Sequence, residues 1–100
     1  MTAFNVVRMR VKPGHEAEYI DFHANRDMSN YNGMEAMHVI RIGEREYMFI
    51  GQWTGMDALA AARDEMIKTL DQFRDKLEDL GGDLGLTDPR SGEAVISRKL

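Results

Sequence analysis

Ala36-Met37-His38-Val39-Ile40-Arg41-Ile42-Gly43-Glu44-Arg45-Glu46-Tyr47-Met48-Phe49-Ile50-Gly51-Gln52-Trp53 sets two β-rich segments on either side of Gly43-Glu44. A Gly-X pair between such segments suits the two-residue type II′ turn, so the stretch reads as a β-hairpin. That turn predicts the pairs Ile42 with Arg45, Arg41 with Glu46, Ile40 with Tyr47, Val39 with Met48, His38 with Phe49 and Met37 with Ile50. One face then carries Met37, Val39, Met48 and Ile50, an aliphatic surface for helices to cover, with an Arg41–Glu46 ion pair at its margin. The other carries Ala36, His38, Ile40, Tyr47, Phe49 and Trp53. A lone domain leaves that second face wet, which marks it as an interface, a ligand groove or both.

Working outward, residues 3 to 11 alternate, with Val7, Met9 and Val11 on one side and Phe4, Val6, Arg8 and Arg10 on the other, as in a half-buried strand. Lys12-Pro13-Gly14 ends it. A helix is predicted to follow through about Met28, with Ala17, Ile20, Ala24 and Met28 at helical spacing. Beyond the hairpin, Thr54-Gly55-Met56-Asp57 has the form of a capping box opening a helix to about Leu80, where Gly81-Gly82 stops it. Its stripe of Leu59, Met66, Leu70, Phe73, Leu77 and Leu80 also admits a coiled-coil reading, but Ala60, Ala61, Ala62 and Ile67 widen it toward packing on a sheet. After a polar turn at Asp88-Pro89-Arg90-Ser91-Gly92, Glu93 to Lys99 alternate as a fourth strand. The order β-α-β-β-α-β predicts one α+β domain over residues 1–100, ferredoxin-like, with both helices on one face of an antiparallel sheet. Its other face is free for a second copy of the chain, giving a dimeric α+β barrel.

Size supports that expectation, because a chain of 100 residues buries only about 60 to 70% of its unfolded surface and gains from self-association. The formal charge is −4, from 13 basic and 17 acidic residues spread along the chain, which argues against nucleic acid or an anionic membrane as partner. The chain contains no cysteine, which excludes disulfides, thiolate metal sites and cysteine nucleophiles and suits a reducing cytoplasm. The first residues are charged too soon for a secretory signal, and no apolar run is long enough to span a bilayer.

Val11-Lys12-Pro13-Gly14-His15-Glu16 and the run from Tyr47 through Trp53 to Leu59, together with the strand order, resemble the antibiotic-biosynthesis-monooxygenase-like branch of the dimeric α+β barrel superfamily. The resemblance implies a dimer whose sheets meet face to face, with pockets between each sheet and its helices. It also implies activities that include cofactor-independent oxygenation of polycyclic phenols. The heme-degrading branch places its proximal histidine on the second helix, and residues 56 to 80 hold none.

Against that background His38 is the candidate proton acceptor, since an imidazole on an aromatic-lined face can move a proton near neutral pH and phenol oxidation begins with deprotonation. Arg8 and Arg10 share its face by alternation, Arg8 to stabilise the anion and Arg10 to bind substrate, unless both pair with carboxylates at a dimer rim. Tyr47, Phe49 and Trp53 can sandwich a planar phenolic or polyketide-like ligand, and Tyr31, between Asn30 and Asn32, can cover a pocket mouth. The same aromatics also suit an interface core. His23 and Asp27, four apart, read as a solvated ion pair and not as metal ligands. No metal or organic cofactor is expected. Two functions follow: a cofactor-independent monooxygenase, or a non-catalytic small-molecule-binding or scaffold dimer of the same fold.

Overall fold

The computed structural model describes residues 1–100, with β1 (Ala3–Val11) at the centre of an antiparallel sheet. On one side β1 pairs with β3 (Glu46–Trp53), which pairs in turn with β2 (Met34–Gly43). On its other side it pairs with β5 (Asp88–Glu93) over Ala3 to Arg8 and with the two-residue β4 (Leu77–Glu78) at Arg10 and Val11. The helices α1 (Glu16–Asn25), α2 (Met56–Ala61) and α3 (Arg63–Phe73) cover one face, and the ferredoxin-like α+β plan is the one the strand order predicts. No helix is long and apolar enough to cross a membrane.

Two clusters form the core between sheet and helices. Met9, Val11, Tyr47 and Phe49 of the sheet meet Tyr19 of α1, Phe73 of α3 and Leu77. Ala3 and Trp53 meet Tyr31, Leu59 and Ala62. The covered face of β1 is therefore the expected Val7, Met9 and Val11 side, extended to Asn5 and Ala3.

The hairpin differs from expectation in a way that matters. Its turn is Glu44-Arg45, one residue later than predicted, between the paired Gly43 and Glu46. That displacement alone leaves every side chain on its predicted face, because both strands shift together. The faces are exchanged by a bulge at Ile42, the one residue of β2 between the pairs Arg41–Tyr47 and Gly43–Glu46. Val39 consequently opposes Phe49, and His38 opposes Ile50. Tyr47, Phe49 and Trp53 lie under the helices with Met37 and Val39, whereas His38 shares the uncovered face with Ile40, Met48 and Ile50. Arg41 donates to the Tyr47 hydroxyl at 3.0 Å and does not pair with Glu46. Arg45 fixes the turn: it adopts φ +58° and donates to the Val11 carbonyl at 2.9 Å and the Glu78 carboxylate at 2.7 Å. These tertiary bonds hold a conformation that local preference gives to glycine.

The other differences also have tertiary causes. The predicted long helix is interrupted at Ala62, whose φ and ψ are −87° and 0°. The bend lets α2 bring Leu59 to Trp53 while α3 carries Phe73 to Tyr19. The helical run ends at Phe73 and passes through a short 3₁₀ turn, Arg74–Lys76, so that Leu77 can pair with Val11. Thr54 does not cap α2; Gly55 stands at that position without a side-chain bond. The last strand lies at Asp88–Glu93, in the predicted turn, because β1 offers its free edge there and Arg8 and Arg90 both reach Asp88. Pro89 is accommodated because β5 is an edge strand. Residues 94–100 form no strand, and Val95 is 88% exposed. In α1 the buried residues are Tyr19 and His23, with Phe22 partly buried beside them, while Ala17, Ile20 and Ala24 face outward.

Candidate functional site

Between the two core clusters lies a cavity of about 560 Å³. Val7, Met9, Phe49, Met66, Leu70 and Phe73 give it an apolar lining, and Asn5, His23 and Arg26 supply polarity. That combination is the usual make-up of a small-molecule site.

Asn5 is the polar interruption of the covered face of β1. The Trp53 indole N–H donates to its Oδ1 at 2.8 Å, which fixes the amide and leaves Nδ2 with only the Met66 sulfur at 3.8 Å. Trp53, fully buried, therefore orients a wall residue and does not itself line the cavity. Gly51 makes this bond possible, because a Cβ there would overlap the Asn5 Oδ1 and come within 3.0 Å of the indole nitrogen.

His23 is 6% exposed and sits among Tyr19, Phe22, Phe49 and Phe73, with ring centroids 4.7 to 5.7 Å away. Neither ring nitrogen has a hydrogen-bond partner. Burial, reinforced by the Arg26 charge, lowers its pKa to about 4, so the ring is neutral at pH 7. It borders both the main cavity and a smaller hollow of about 330 Å³. The solvated pairing with Asp27 does not form: α1 ends at Asn25, and the Asp27 carboxylate accepts from the Ser29 amide at 2.9 Å.

The residues singled out from sequence divide between the two faces. Phe49 lines the cavity. Tyr31 does too, but as a buried wall and not an exposed lid: its ring lies 6.3 Å from Trp53, and its hydroxyl meets the Thr69 hydroxyl and the Glu65 carbonyl. Tyr47 borders only the smaller hollow, its hydroxyl donating to Glu16 at 2.6 Å and accepting from Arg41. His38, Arg8 and Arg10 lie on the uncovered face, outside the cavity. There Arg10 approaches Glu46 at 2.7 Å, and Arg8 lies 3.8 Å from Glu46 and 3.7 Å from Asp88. The Arg10 hydrogen bond holds the Glu46 carboxyl below the usual carboxylate range. The expected site, with His38 facing a planar ligand held between Tyr47, Phe49 and Trp53, is thus not formed, because the Ile42 bulge puts His38 on the other face.

Asn5, His23 and Arg26 were not anticipated as site residues. Two signals carried them: a polar residue in the buried phase of a strand, and Tyr19, Phe22, His23 and Arg26 at i, i+3, i+4 and i+7 on one helical face.

No protein-family model matches the sequence, and no curated protein matches it. Solved structures do. A cofactor-independent oxygenase, SnoaB from Streptomyces nogalater, superposes with a TM-score of 0.70 at 16% identity, over 96% of this chain and 95% of that one. A candidate antibiotic biosynthesis monooxygenase from Chloroflexus aurantiacus gives 0.73 at 13% identity, over 99% and 98%. A Nitrosomonas europaea protein of unknown function, NE2512, gives 0.75 at 17%, over 99% and 94%. At such identities the likeness concerns the fold, and this chain has the fold of the antibiotic-biosynthesis-monooxygenase-like proteins.

Proposed function

We propose that the chain is a cofactor-independent oxygenase of this fold, acting on a planar phenol held in the cavity between sheet and helices. The observation that carries the reading is His23, a buried neutral imidazole on the cavity wall with both nitrogens unpartnered. A buried polar group of this kind acquires a partner from its ligand. A phenolic hydroxyl offers its proton, and the phenolate formed supplies the counter-charge that an imidazolium in this apolar box otherwise lacks. Phe49 and Phe73 flank the ring, and the Asn5 amide stands ready to donate to an oxygen on the substrate.

The electron balance is that of a monooxygenation. The deprotonated substrate gives one electron to O₂, and the radical pair joins through a new C–O bond. Protonation gives a hydroperoxide, and loss of water breaks its O–O bond to leave a carbonyl, so that a C–H carbon and O₂ become C=O and H₂O with the substrate as reductant. Measuring O₂ uptake with hydroquinones and polycyclic phenols tests the reading. Uptake by wild type that is lost in His23→Phe supports it, and no uptake across the panel leaves the non-catalytic binding dimer as the function.

On this reading the active form is a homodimer in the cytoplasm. Phe4, Val6, Met48 and Ile50 are only partly buried on the uncovered face and Ile40 is exposed there, and their apolar surface, rimmed by Arg8, Arg10, Glu46 and Asp88, suits a second copy of the chain. His38, Arg8 and Arg10, candidates for chemistry by sequence, take structural roles at that seam.

A further inference from the structure

The chain carries 17 acidic residues and a net charge of −4, yet no aspartate or glutamate lines the cavity, while Arg26, Arg63 and Arg90 all do. Arg90 is paired with Asp88 at 2.8 Å. Arg26 and Arg63 pair with no carboxylate. The Arg26 guanidinium is partly buried and lies 5.2 Å from the Phe49 ring centroid and 5.3 Å from that of Tyr31. Its N–H groups reach only methionine sulfurs, Met28 at 3.1 Å and Met37 at 3.7 Å, which are weak acceptors. A partly desolvated guanidinium without an anion is an incomplete arrangement, since its fork of donors matches a carboxylate. The position is also informative: Arg26 follows His23 by three residues at the end of α1, so both groups reach the cavity from the same helical face.

We infer that the cavity takes a planar aromatic carboxylic acid, its carboxylate bound by Arg26 and its ring laid along Phe49. Arg63 is exposed on α3 and Arg90 on β5, and both line the cavity, so the wall around them favours an anionic ligand over a neutral one. A neutral phenol of the same size uses the apolar wall but leaves Arg26 without an anion. The inference rests on the cavity reading above for the ligand's place, and not on turnover.

The test is calorimetric binding of 6-hydroxy-2-naphthoate against 2-naphthol, the same ring system with and without the carboxylate, at low and moderate salt. The naphthoate is expected to bind at least about tenfold more tightly, as one charge-assisted bidentate contact provides, with an advantage that narrows as salt rises. Arg26→Gln is expected to abolish the preference and Arg26→Lys to keep part of it. Arg63→Gln, at an exposed position that does not threaten folding, should slow association while leaving dissociation nearly unchanged. Equal binding of the two probes by wild type, binding of neither, or a preference intact in Arg26→Gln overturns the inference. A preference for the acid without O₂ uptake leaves it standing and removes the oxygenase reading. Uptake on neutral phenols with no acid preference does the reverse.

Discussion

The two faces of the sheet treat charge in opposite ways. On the uncovered face each arginine of β1 has a carboxylate: Arg10 meets Glu46, and Arg8 lies between Glu46 and Asp88. On the covered face Arg26 has none, and the His23 nitrogens have no partner at all. A face whose charges pair with one another has little left to offer a charged small ligand and is suited to broad contact. A face that buries unsatisfied groups around a cavity needs something brought from outside. The comparison thus distinguishes the two faces by whether their charged groups have partners of opposite sign, where aromatic content alone does not.

The sharpest way to break it is His23→Phe. If the covered face is the site, this substitution lowers turnover by roughly 100-fold or more, the usual effect of losing a proton-transfer group, while the fold persists because phenylalanine suits the surrounding aromatic box. Steady-state O₂ uptake alongside thermal unfolding reads both. Unaltered uptake in a well-folded His23→Phe protein moves the chemistry elsewhere.

Stability against pH gives a second test of the same residue. The folded-state pKa of His23, about 4, lies below its ordinary 6.5, so the unfolded chain binds a proton that the folded chain refuses. Stability is therefore full above pH 6.5 and falls as pH drops from there toward 4. A shift of this size corresponds to about 3 kcal/mol. Chemical denaturation at pH 7.5 and pH 4.5 should show the loss in wild type and a much smaller one in His23→Phe. Parallel losses in the two proteins would place the proton on another group.

Much of this contrast was legible in the sequence, and the part that was not has a definite cause. Alternation in β1 gave the correct side for Arg8 and Arg10, and the βαββαβ order gave the sheet and its single helical layer. The hairpin failed at Ile42. A bulge is an inserted residue without a strong local signature, and it reverses every later assignment of side, so His38 was grouped with aromatics that lie across the sheet from it. The helix α1 differs for another reason: its buried face carries a histidine and a tyrosine, whereas hydrophobicity alone favours Ala17, Ile20 and Ala24. β5 is hidden in the sequence because Asp88-Pro89-Arg90-Ser91-Gly92 has turn composition, and its pairing comes from the free edge of β1 and the Arg8–Asp88 contact.

Gly51→Ala sharpens the covered side of the comparison. The added methyl overlaps the Asn5 Oδ1 and crowds the Met34 methyl at 2.9 Å, so the Asn5–Trp53 bond must give way. Loss of a buried hydrogen bond with overpacking is expected to destabilise by about 1 to 3 kcal/mol and to release the Asn5 amide from its fixed orientation. Denaturation measures the first effect, and weaker binding of a cavity ligand measures the second. An unchanged denaturation midpoint would mean that Asn5 is not held by Trp53.

The smallest effect is expected at His38, where sequence had placed the chemistry. His38 is exposed on the uncovered face opposite Ile50, so His38→Ala should leave turnover unchanged and alter monomer stability by under about 0.5 kcal/mol, as surface substitutions commonly do. On the dimer reading its influence is on association. Ile50→Glu, in the middle of the same face, should move the protein from dimer to monomer in size-exclusion chromatography at micromolar concentration, because an unpaired carboxylate must then be buried at the seam. His38→Ala should shift that equilibrium only slightly. A wild-type monomer at that concentration would remove the seam, whereas a His38→Ala protein that stays dimeric but loses O₂ uptake would return the chemistry to the uncovered face and reverse the assignment of the two sides.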